Sequence, residues 1–140
     1  MEDKRFSSAR VIDTLGMVMI LLLLLQYVLG MYTNLFVVIP EGTNGWAFVG
    51  NSSVIFSHIV MGILLLGFSV VHLVMAFKKK KTAWVFFSVM GLLAILASLF
   101  FGSVYMGGQN DSQSFGMAVG SGVSILAYAA GIYSSTRFKE

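Results

Sequence analysis

Nine Lys and Arg residues punctuate four apolar runs, and all of them fall on one side of a membrane once the runs are threaded through it. Lys4, Arg5 and Arg10 precede the first run. Lys78, Lys79, Lys80 and Lys81 join the second to the third. Arg137 and Lys139 follow the fourth. The other two connections, 40–53 and 107–114, carry no basic residue and hold Glu41 and Asp111. Basic residues are retained on the cytoplasmic face, so both termini and the Lys run are expected inside. The runs 15–39, 54–77, 83–106 and 115–134 are each long enough to span, because a helix crosses about 30 Å of hydrocarbon in about 20 residues. An open sheet would leave its edges unsatisfied in lipid. The expectation is an all-α integral membrane four-helix bundle, up-down-up-down, N-in and C-in. Its helices should lie over about 11–39, 54–77, 83–106 and 115–135, in one domain over 1–140, multi-pass in a cell or inner membrane.

Composition agrees. The chain is 57% apolar and 11% charged, against about 45–50% and about 25% in soluble proteins. Membrane topology accounts for the net charge of +3, which therefore gives no reason to invoke nucleic acid. Without cysteine, the chain has no disulfide, thiolate zinc site, iron–sulfur cluster or thiol nucleophile. The basic N-terminus followed by an apolar run resembles a signal peptide, but the run is too long and is read as a helix.

Polar groups inside the spans are few. Asp13, near the inner end of the first run, sits three residues after Arg10 and suits the positive end of a helix dipole. Gln26 lies at bilayer depth and must find a partner within the bundle. Trp46 is placed as an interface anchor. In the fourth run Gly116 and Gly120 form GxxxG, and Ala118 with Gly122 makes a second small pair. Such residues let helix backbones approach closely, either deep in the bundle or at a subunit contact.

His58 and His72 are the only histidines, and both lie on the second run. Fourteen residues separate them, about 21 Å along a helix, and they share a seam with Gly62, Leu65, Ser69 and Ala76. Two imidazoles bracketing mostly small residues are what haem in a helix bundle needs, since imidazole ligates iron and small neighbours admit a porphyrin. A neutral histidine near the interface can equally hydrogen-bond a carbonyl or serine and do nothing more. No acid pair lies within the membrane, no zinc-protease motif is present, and a triad is not expected because no acid sits near enough to orient His58.

The His-x13-His spacing resembles that of cytochrome b helices, which draw a second pair of histidines from another helix. The order Gln26-x3-Gly30, then His58-x3-Gly62, then a small-residue fourth helix resembles one four-helix half of the haem A synthase family. The run from Leu25 to Pro40 (LQ-x2-LG-M-x2-NLFV-x-IP) also resembles that of small four-helix membrane proteins. The resemblance implies a haem held by a histidine of the second helix and a ligand from the fourth, where Met117 stands in the approximate place of a histidine. Three completions of the iron shell stay open. Met117 could serve His58, with Met90, Met17 or Met19 at the depth of His72. A homodimer could pair the histidines. Or one haem could bind, at His58. The expected function is a small b-type cytochrome with one or two b haems, moving electrons across the membrane to a soluble partner or a quinone. The alternative is an accessory subunit of a larger respiratory or oxygenase complex.

Overall fold

The computed structural model describes residues 2–40 and 42–137. Glu41 and Lys139, used above for topology, lie outside the described residues. Four long helices form the molecule: α1 (Glu2–Phe36), α3 (Ser53–Lys78), α4 (Thr82–Gly108) and α5 (Asp111–Arg137). A four-residue helix, α2 (Gly45–Phe48), and a 3-10 turn (Val49–Asn51) lie in the first connection. Each long helix contains a stretch of 26 or 27 residues apolar enough to cross a membrane. Leu21, Val28, Ile63, Phe86, Phe100 and Leu126 are exposed on its outside, where lipid would cover them.

Helix boundaries follow local chemistry. α1 stops at Phe36, short of the expected 39, because Pro40 has no N–H to continue the ladder and disfavours helix in the residue before it. α5 starts at Asp111, earlier than expected, because the Asn110 side chain accepts from the Ser112 N–H (2.9 Å) and caps the first turn. The Lys run makes the tight turn from α3 to α4. Lys81 N–H bonds Ala76 C=O and Lys80 N–H bonds Phe77 C=O, a Schellman closure with Lys80 left-handed at φ 52°.

The helices pack as a ring, α1–α3–α4–α5 and back to α1, each beside its chain neighbours, with α4 and α5 in the closest contact. That contact is built on glycine. A Cβ at Gly120 would overlap Ser98 Oγ and stand 3.0 Å from the Ala94 carbonyl, and one at Gly116 would meet the Phe101 ring at 2.7 Å. The expectation of a closely packed fourth helix holds for Gly116 and Gly120. Gly122 has nothing within 4 Å and takes no part.

Candidate functional site: one filled half and one open half

The half of the bundle near the Lys turn is filled by two aromatic residues that reach across its diagonals. Trp84 on α4 is 1% exposed and its ring lies against both Gly16 of α1 and Gly131 of α5. Its Nε1–H donates to Asp13 Oδ1 on α1 (2.9 Å), and Ser135 on α5 donates to the same oxygen (2.7 Å). Asp13 therefore ties three helices together. Its expected role, confined to Arg10 and the helix dipole, understates it. Tyr128 on α5 is fully buried, with its ring over Gly91. It meets His72 of α3 edge-on, at 5.2 Å between centroids.

His72 belongs to this filled half. Its Nδ1 pairs with Ser88 Oγ at 2.8 Å, while Ser88 donates to the Trp84 carbonyl. The Trp84 ring packs on it at 4.7 Å. Nε2 is buried with no hydrogen-bond partner. Trp84, Tyr128 and Ser88 thus close His72 in, at 1% exposure. A porphyrin at His72 would have to displace both aromatic rings. Of the methionines considered at this depth, Met19 is buried in the core, and Met17 and Met90 are more than 40% exposed.

In the other half, no side-chain hydrogen bond or ring contact among the described residues spans a diagonal. Small residues face inward there: Gly62 on α3, Ser98 and Gly102 on α4, Ala118, Ser121 and Ser124 on α5. They leave a half-open cavity of about 180 Å³, floored by Leu23, Leu65 and Ile95, with the exposed Tyr27, Met31 and Trp46 also in its lining. His58, Gln26 and Met117 all line it. Two of the three expected site residues, His58 and Met117, are therefore brought to one space, and His72 is not.

Gln26 and His58 are a pair. The Gln26 side-chain amide donates to the His58 backbone carbonyl at 3.0 Å, and its nitrogen stands 3.5 Å from His58 Nε2. The His58 ring packs on Gly30, where an added Cβ would come within 2.9 Å of Cε1. Gly62 makes room for the Gln26 side chain and Leu99, and Gly102 for the Met117 sulfur. Part of the room beside Gly62, read in the sequence as space for a porphyrin, is taken by the Gln26 and Leu99 side chains. Two buried polar atoms of this pair, Gln26 Oε1 and His58 Nδ1, have no hydrogen-bond partner.

The size of the cavity limits its occupant. A designed apolar cavity of about 150 Å³ takes up one benzene ring, and drug-sized ligands occupy about 300–1,000 Å³. The 180 Å³ beside His58 fits one six-membered ring with substituents. An iron at His58 Nε2 would have to displace the Gln26 amide, which stands 3.5 Å from that nitrogen. Among the described residues no cluster of three or more His, Cys, Asp or Glu could hold a metal ion. Comparison with protein-family models, curated proteins and solved structures finds no match for this chain.

Proposed function

We propose that this chain is an integral membrane protein that binds a one-ring amphiphile, best a quinone-type head group, and presents it to a larger redox complex. The observation that carries this reading is the cavity itself. It is ring-sized, mostly apolar and partly open, and its lining includes two polar pairs, Gln26–His58 and Asn34–Ser114. Segregation of the basic residues supports an orientation with the Lys turn in the cytoplasm and the cavity in the opposite leaflet. The chain has no cysteine of its own, so a single cysteine at Lys79 is a clean probe of that orientation. It should be closed to an impermeant thiol reagent added outside, while one at Gly45 reacts. The reverse pattern overturns the orientation.

Tryptophan fluorescence tests the binding. Trp46 lines the cavity and Trp84 lies in the filled half. Decylubiquinone titrated into protein in nanodiscs should quench Trp46 with saturation, and Trp46→Phe should remove the saturable part. Ser121→Leu, which fills the cavity, should abolish it. Linear, unsaturable quenching identical in all three proteins would show only partition into lipid and would overturn the reading.

A b-type haem at His58 is the second reading, favoured by one observation: Met117 lines the same cavity. When bound, such a haem would supply reversible one-electron chemistry at iron. His58 would hold it on one side, and Met117 is the candidate on the other. Gln26 would have to leave His58. A reduced-minus-oxidised b spectrum from the purified protein, lost in His58→Ala, would put this reading first.

A further inference from the structure

Three of the nine methionines come to one space. Met31 of α1, Met106 of α4 and Met117 of α5 all line the cavity. A hydrogen bond fixes the register that brings two of them together. Ser114 on α5 donates to Asn34 on α1 at 3.0 Å. The two helices run antiparallel, and residues three apart share a helix face. Met31 lies three residues before Asn34, and Met117 three after Ser114. Both therefore stand about one turn, roughly 4.5 Å, further toward the Lys turn. The Met117 sulfur also packs against α4, 3.0 Å from where a Cβ at Gly102 would stand. Met106 follows Gly102 by four residues, on the same face of α4 and about 6 Å along it. Packing alone accounts for a methionine such as Met19, which is buried in the core. These three border free volume instead, one from each of three helices.

From this we infer that Met31, Met106 and Met117 form a three-thioether site for monovalent copper, at the end of the bundle away from the Lys turn. Thioether sulfur is a soft, neutral donor. It selects Cu(I) over hard cations, which need oxygen, and over Cu(II), which prefers nitrogen and oxygen in a tetragonal set. The unbranched methionine side chain turns about three bonds, so the sulfurs can close on an ion while the helices stay in place. Among the described residues no Lys or Arg lines the cavity to repel a cation. His58 borders the same space, but its Nε2 stands beside the Gln26 amide and the site does not need it. Copper enters and leaves as Cu(I). No electron is transferred, and no proton is displaced, because a thioether carries none. The site uses the thioethers and not the free volume between them, so it does not depend on the binding of a ring.

Cu(I), supplied as its acetonitrile complex under nitrogen, is dialysed to equilibrium against the full-length protein in nanodiscs and against empty nanodiscs. The protein should take up one copper, saturably, beyond the empty discs. X-ray absorption at the copper edge should show a shell of sulfur alone. Met31→Leu, Met106→Leu and Met117→Leu conserve volume. Each should weaken binding about tenfold or more, since loss of even an outer partner of a metal ligand costs about 10–100-fold. Met17→Leu and Met90→Leu, at exposed positions outside the cavity, should leave it unchanged. Affinity should also hold steady between about pH 5.5 and about pH 7.5, where a histidine ligand would have to lose a proton. Should a cavity variant fail to fold, the wild-type stoichiometry and sulfur shell still decide. Uptake no greater than in empty discs would overturn the site. So would a nitrogen or oxygen shell, or equal affinity in all five variants. Quenching of Trp46 by decylubiquinone is measured separately, so either binding can fail without the other.

Discussion

Trp84→Ala should destabilise the bundle by about 3–5 kcal/mol, the range for emptying a buried aromatic site. Trp84 is the largest fully buried side chain, and it fills the space that Gly16 and Gly131 leave. In lipid there is no hydrophobic drive between helices, so lost packing contacts are not compensated by water leaving them. The substitution also removes the indole N–H from Asp13, leaving that carboxylate with Ser135 as its remaining side-chain donor among the described residues. Trp84→Phe should cost less, about 1–3 kcal/mol, because most of the volume stays and chiefly the hydrogen bond goes. Unfolding by SDS in mixed micelles, followed by circular dichroism, measures both. A Trp84→Ala protein as stable as wild type would mean that the filled half is not the structural anchor of the fold.

Gly120→Leu should be of similar severity, about 3 kcal/mol or more, with loss of assembled protein. A Cβ at this position already meets Ser98 Oγ and the Ala94 carbonyl, so the clash is with a short side chain and with main chain, neither of which can swing away. Separation of α4 from α5 would also break the bond from Ser98 Oγ to the Met117 carbonyl (3.2 Å). Gly122→Leu is the matched control. It adds the same side chain two residues along the same helix, into open space, and should change stability by no more than about 0.5 kcal/mol. Equal effects at the two positions would indicate a general intolerance of α5 to leucine and not a close crossing at Gly120.

Much of this architecture was legible in the sequence. Four runs of spanning length were enough for helix number and the up-down order, because the bilayer permits so few alternatives. The buried face of α3, with Gly62, Leu65, Ser69, His72 and Ala76, is the seam read from the two histidines. The relation between polar residues was harder to read. In an antiparallel pair, residues equally far from the turn share a depth, and Gln26 and His58 each lie sixteen residues from Gly42. That arithmetic was available and would have paired them. It also brings Ile12, next to Asp13, level with His72, thirty residues to either side of the same glycine.

What no spacing rule supplies is which space stays empty. Small residues on a seam look alike whether a cofactor or a neighbouring side chain covers them. Gly16, Gly91 and Gly131 admit Trp84 and Tyr128, whereas the inward-facing small residues near His58 leave a cavity. The difference depends on large side chains contributed from across the diagonal, and that is tertiary information. The same contributions separate the two histidines. His72 is walled in by aromatic rings, and His58 borders the free volume with Met117.

The most direct measurement is a crystal structure of the full-length protein grown with 4-iodophenol, whose iodine is located by anomalous scattering. The expected result is one strong peak per molecule in the cavity lined by Gln26, His58 and Met117 and no peak beside His72. A cavity empty of iodine or filled by side chains, or an iron-bearing macrocycle coordinated by His58, would contradict it.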